Sequence, residues 1–115
     1  NVDFLEIVEE ADALEDCQAL YITGNMDWQY NCSMAEILTH YACRIDAAYY
    51  QGKTLATGGR TLRPYEERYH FVDVDDMKEE EDGLYLLHVS ELDRLPFAFR
   101  VIKENGNFRL VRPAD

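Results

Sequence analysis

His40 and Cys43 stand three residues apart in a stretch with helical periodicity, so both side chains could touch one ion from the same helix face. Tetrahedral zinc needs two further ligands, and no CxxC pair or other ligand spacing supplies them. His40, His70 and His88 lie far apart and read as structural or surface histidines. A second candidate is the run from Asp73 to Gly83, which holds Asp73, Asp75, Asp76, Glu79, Glu80, Glu81 and Asp82. Hard cations bind clustered carboxylates, but Lys78 occupies the position where a calcium loop of the EF-hand kind requires glycine. The run therefore reads as a solvated hairpin tip, with a partner-binding patch as the sharper alternative. Serine-nucleophile, phosphate-loop and dinucleotide-binding signatures are absent, and the isolated Gly58-Gly59 pair reads as a bend. No metal and no cofactor are expected.

Charge patterning is more informative. The 115-residue chain carries a formal charge of −12. Its first 43 residues contain no Lys and no Arg but nine carboxylates: Asp3, Glu6, Glu9, Glu10, Asp12, Glu15, Asp16, Asp27 and Glu36. Arg44 is the first basic residue, and from there on 14 acids face 11 bases. So uneven a field repels nucleic acid and anionic membrane and attracts basic partners. The amino-terminal acids also forgo about 0.2–0.5 kcal/mol for each i,i+4 pair they lack. That uncompensated repulsion points to a use for the field.

Cys17, Cys32 and Cys43 are an odd set. Three free thiols in a reducing compartment are favoured over one disulfide plus a free thiol in an exported protein. This tilts localisation toward the cytoplasm. Asn1 in place of Met leaves room for a removed leader, tag or domain, and so for a periplasmic or secreted protein. No apolar run approaches the ~20 residues of a membrane span.

The elements that must position these residues follow from periodicity. Residues 3–15 read as a helix with Phe4, Ile7, Val8, Ala11 and Leu14 on one side and Asp3 as N-cap. The register weakens after Leu14, so either a bend or a short helical piece through Cys17–Ile22 follows. Residues 25–33 read as a loop holding Trp28 and Tyr30. Ser33 to Glu36 is a capping box opening a second helix, whose apolar stripe is Met34, Ile37, Leu38, Tyr41, Ile45, Ala48 and Tyr49. Residues 53–68 are ambiguous, with Arg63-Pro64 marking an extended stretch. Strands follow at Tyr69–Val74, Leu84–Ser90, Pro96–Lys103 and Phe108–Arg112, the last two joined by the Asn105-Gly106 turn. Helices first and a meander afterwards give an α+β class. The expected form is a single domain over residues 1–115, with amino-terminal helices packed on one face of a curved antiparallel sheet of about four strands.

The closing segment PFAFRVIKENGNFRLVRP enters through Pro-Phe, turns at Lys-Glu-Asn-Gly and returns through an aromatic residue. It resembles the closing hairpin of the nuclear-transport-factor-two-like superfamily, and GLYLLHVS falls where those domains place a neighbouring strand. The resemblance covers residues 33–112 and implies helices wrapped by a curved antiparallel sheet into a cone. Members include isomerases, dehydratases, transport adaptors, secretion-system subunits and toxin-immunity proteins, so fold alone selects no activity. For an isomerase or dehydratase, the resemblance implies polar residues on the cavity wall. Here those are Tyr41, Asp46, Tyr49, His88 and Arg100, with a carboxylate and His as acid and base and Tyr donating to an oxyanion. Asp46 lies off the apolar stripe of its helix.

The favoured expectation is instead an acidic protein-binding module, in its sharpest form an immunity or inhibitor protein that blocks a basic toxin or nucleic-acid-processing enzyme. Its contact residues would be Glu6, Glu9, Glu10, Asp75, Asp76, Glu79 and Glu80, with Trp28 or Tyr30 as aromatic anchor. Tyr30, Tyr50 and Tyr65 are the tyrosines expected to be exposed. The partner would be a basic protein, with no direct nucleic acid and no membrane, and homodimerisation stays open. A cavity enzyme and a soluble domain of an envelope or secretion assembly are the alternatives.

Overall fold

The computed structural model describes residues 2–14, 18–24, 32–51, 56–57, 60–61 and 63–114, without the side chains of 32–33, 50, 56–57 and 60–61. Helix α1 spans Val2–Ala13 and buries Phe4, Ile7, Val8 and Ala11, the face its spacing predicts. Asp3 lies in the first turn, where a carboxylate complements the helix dipole. Beyond α1, Ala19–Thr23 form a strand, β1, where a short helical piece through Cys17–Ile22 was one expectation; the alternative, a bend after Leu14, falls on residues 15–17, outside the described residues. All five of its residues are buried. A buried apolar run that short carries no period that tells strand from helix, and tertiary pairing decides.

Helix α2 spans Cys32–Cys43 and α3 spans Ala47–Tyr50. The single long helix expected here is divided at Arg44, whose φ of 53° is left-handed. Asp46 then caps α3, its side chain accepting from the Ala48 amide at 2.7 Å. The expected stripe is also corrected. Ile37 is 62% exposed, Tyr41 75% and Met34 42%. Ala35 and Thr39 are fully buried, and Leu38, Ala42 and Cys43 pack on the core. The inward face is thus the i, i+3, i+4, i+7, i+8 set starting at Ala35. Its small side chains let the α2 backbone approach α1, as the Cys43 Sγ–Val8 carbonyl contact at 3.7 Å shows.

The two-residue strands β2 (Ala56–Thr57) and β3 (Arg60–Thr61) pair with each other. Pro64 then opens the four-residue helix α4 (Tyr65–Arg68), which runs straight into β4 (Tyr69–Val72). Two 3-10 turns, Val74–Asp76 and Val89–Arg94, flank β5 (Gly83–His88). The hairpin of β6 (Phe99–Asn105) and β7 (Phe108–Pro113) closes the fold. The two loop residues are Gly106 and Asn107, one position on from the expected Asn105-Gly106 pair, since Asn105 still pairs with Phe108; Gly106 takes a φ of 58°, and a Cβ on it would meet the Asp3 side chain of α1.

The class is α+β, but the sheet is mixed rather than antiparallel and has five strands in the order β4-β1-β5-β7-β6. β1 is parallel to both β4 and β5, while β7 is antiparallel to β5 and β6. The unforeseen strand β1 accounts for the difference.

Burial is two-sided, where packing on one face alone was expected. Leu20, Ile22, Leu84, Leu86 and Leu110 lie under α1 and α2. On the reverse face Tyr21, Tyr85, Leu87 and Val111 are covered by Val74, Met77, Leu95 and Phe97. Each fully buried leucine stabilises the fold by about 1.5–3 kcal/mol. Edge strand β6 exposes the charged Arg100, Lys103 and Glu104 and has an irregular register between Val101 and Lys103, which discourages edge-to-edge pairing.

Candidate functional site

Where α1 and α2 meet, a groove of about 490 Å³ opens to solvent. Leu5, Glu6 and Glu9 of α1 line it with Tyr41, Ala42 and Arg44 at the end of α2. Glu6 and Glu9 are exposed, point along the acidic side of α1, and make no ion pair among the described residues. The rotated register of α2 is what delivers Tyr41 to the groove and leaves Ile37 one turn before it on the outer face. Acidic and apolar surface therefore adjoin. Glu10, the third acid expected there, is engaged by Lys103 Nζ of β6 at 3.2 Å.

The other acidic residues are elsewhere. Val74 and Met77 anchor the 73–82 segment to the reverse face of the sheet, so Asp75, Asp76, Glu79 and Glu80 do not share one surface with α1. Arg94 binds Asp73 at 2.8 Å and Asp75 at 3.0 Å, and these two carboxylates hold its guanidinium above its usual range. Glu80 accepts from the Tyr21 hydroxyl and lies 3.9 Å from Arg63. Asp76 and Glu79 remain exposed. Trp28 and Tyr30, the proposed aromatic anchors, lie outside the described residues, as do Cys17 and the Gly58-Gly59 bend, while the side chains of Cys32 and Tyr50 are not described.

Two polar networks brace the helices from within. Arg68 is 1% exposed, yet its guanidinium donates to the Asp12 carboxylate at 2.9 Å, to the Asp12 carbonyl at 3.0 Å and to the Tyr69 hydroxyl at 3.2 Å. Helix α1 has no basic residue in its last turn, so Arg68 supplies the cation its carboxyl end lacks. Burial, reinforced by the Asp12 charge, holds the Tyr69 hydroxyl protonated well past its usual range. In the second network the Tyr65 hydroxyl donates to Glu36 at 2.8 Å and meets His40 Nε2 at 2.5 Å. Tyr65 is therefore buried, not exposed as expected: its ring packs against Tyr49 and Tyr69.

His40 and Cys43 do not converge. The imidazole reaches Tyr65, while the thiol faces the α1 backbone. Burial, aided by Asp12 and Glu9, pushes the Cys43 thiol far above its normal range, so it is a poor nucleophile and a poor ligand. No cluster of three or more metal-ligating side chains occurs among the described residues.

The five residues of the alternative cavity set have contacts leading in different directions. Tyr41 is in the open groove and Asp46 caps α3. The buried Tyr49 donates to the Arg63 carbonyl. His88 Nδ1 meets Ser90 Oγ at 2.8 Å, its ring edges onto Phe108, and Arg100 is exposed on β6.

No protein-family profile, curated protein or solved structure matches this chain. The site must be read from its own geometry. Arg44 and Ile37 were not among the residues expected to act, and a signal for them existed. The small residues Ala35, Thr39, Ala42 and Cys43 form a second stripe on α2, and choosing it as the inward face puts Ile37 and Tyr41 outside.

Proposed function

We propose that this chain is an acidic protein-binding module that docks a basic partner on the α1–α2 face. One observation carries the proposal: the carboxylates of Glu6 and Glu9, without an ion pair among the described residues, stand beside an exposed tyrosine, Tyr41, in a single groove that Arg44 closes at one end. Carboxylates alone would be ordinary solvated surface. An aromatic ring beside them supplies the anchor area that interface energetics need, while the charges steer encounter. The field that attracts a basic protein repels nucleic acid and anionic lipid, which suits an inhibitor or immunity protein covering a basic surface used for nucleic acid. The likeness of the closing hairpin to the nuclear-transport-factor-two-like superfamily is compatible with such a role but does not carry it.

The test is affinity capture with the immobilised protein, run in parallel with a Glu6→Gln/Glu9→Gln/Tyr41→Ala variant, followed by kinetics on what is captured. The expected partner is basic, is lost on the variant, and associates about 10-fold or more slowly as salt rises from low to physiological. An association rate indifferent to ionic strength, or equal capture by the variant, would overturn the proposal.

A further inference from the structure

We infer that the α1–α2 groove receives an amphipathic α-helix of the partner, one that carries Lys or Arg a turn apart, an aliphatic anchor between them and a carboxylate toward one end. The inference rests on the protein-binding proposal and specifies the segment bound.

The walls of the groove argue for a helix. Leu5, Glu6 and Glu9 lie within α1, whose backbone groups there are spent on its own turns, while Tyr41, Ala42 and Arg44 close α2, where the last carbonyls have no intrahelical amide. Along α1 the groove offers a peptide only side chains, and Leu5, Ala42 and the Tyr41 ring give its backbone no partner. An extended segment laid there would leave its backbone groups over apolar surface without partners. A helix brings its own bonds and needs only side-chain complementarity.

The charges argue for a pattern. Glu6 and Glu9 are three residues apart, so their carboxylates project one turn from each other and match cations at i and i+3 or i+4 on a facing helix. Arg44 lines the same groove and makes no ion pair among the described residues. It repels a uniformly basic segment and favours one with an acid at that end. A second copy of this chain is the competing occupant, since a two-fold contact can set Glu6 and Glu9 of each copy against Arg44 of the other, and the oligomeric state decides between them.

Three synthetic alanine-based peptides of about sixteen residues, each spanning about 24 Å as a helix, make the test. The first carries Leu between two Lys one turn apart with Glu one turn beyond. The second has the same composition shuffled around the helix, and the third is the first with a central Pro. They are titrated into the full chain by fluorescence anisotropy, with circular dichroism of the bound peptide and sedimentation of the protein alone.

The patterned peptide is expected to bind about 10-fold or more tightly than either control and to gain helicity. It should lose about 10-fold against Glu6→Gln/Glu9→Gln, and Arg44→Glu should remove the benefit of its terminal Glu. Equal binding of the Pro peptide, or of the shuffled one, overturns the helix or the pattern while salt-dependent capture still upholds protein binding. A dimer dissolved by Tyr41→Ala overturns the inference in favour of a second copy. No peptide binding together with no salt-dependent capture overturns both proposals.

Discussion

Desolvation holds the His40 imidazole below its usual range, and the Glu36 carboxylate opposes the shift without cancelling it. The Tyr65 hydroxyl donates to Glu36 and so has a lone pair to accept from His40 Nε2–H, a bond the neutral ring makes as its Nε2–H tautomer. Because the folded value lies below the unfolded one of about 6.5, the unfolded chain takes up the proton first as pH falls. This contribution to stability is complete above about 6.5 and is lost as pH drops through the folded value. Urea midpoints should therefore fall between about pH 7 and about pH 5, and His40→Gln should flatten that slope. An unchanged slope in the variant would show that other groups carry it. At this scale the sequence was least legible. Nothing in Tyr-Glu-Glu-Arg-Tyr signals that Arg68 is interior, because its partner Asp12 is 56 residues away and only the fold joins them. Glu91 is the same: it closes a capping box with His88 and accepts from Thr23 at 2.7 Å, contacts that no local pattern announces.

Elements with a local signature were read well, and those defined by distant pairing were not. The apolar face of α1 and a tight turn at Gly106 follow from side-chain period and from backbone conformation, both local, although the turn lies one residue later than the Asn105-Gly106 pair expected. β1 did not, because its strand character depends on partners near residues 69 and 83. Helix α2 is the instructive middle case. Its helical period is evident in the sequence, and size alone points to the large apolar residues as the inward set, whereas close approach to α1 selects small ones. Ala35→Leu should therefore cost about 1–3 kcal/mol by overpacking a fully buried position, while Ile37→Ser should stay within about 0.5 kcal/mol of the parent. Denaturant titration separates the two. The opposite ranking would restore the larger-residue stripe.

At the scale of the whole molecule, the radius of gyration of 13.2 Å matches the roughly 13 Å of one compact domain this long. Such a body carries −12, with the acids of α1 on one side of the sheet. Folding brings these like charges closer than they are in the open chain, and exposed pairs such as Lys103–Glu10 offset little of that. Raising salt from about 0.01 M to about 0.15 M contracts the Debye length from about 30 Å to about 8 Å. The thermal midpoint should rise over this range, and Glu6→Gln/Glu9→Gln should raise the low-salt midpoint and shrink the rise. A midpoint that falls with salt would mean that attractive pairs dominate instead.

The placement of β1 has a consequence for how the protein is made. Both of its neighbours in the sheet, β4 and β5, are encoded far downstream, so Ala19–Thr23 has no strand to join while the first half of the chain leaves the ribosome. At translation speeds of about 5–20 residues per second, this sticky segment waits several seconds for its neighbours. Repulsion among the surrounding acids opposes contact between nascent chains during that interval, so this charge acts on the chain before it has a fold as well as after.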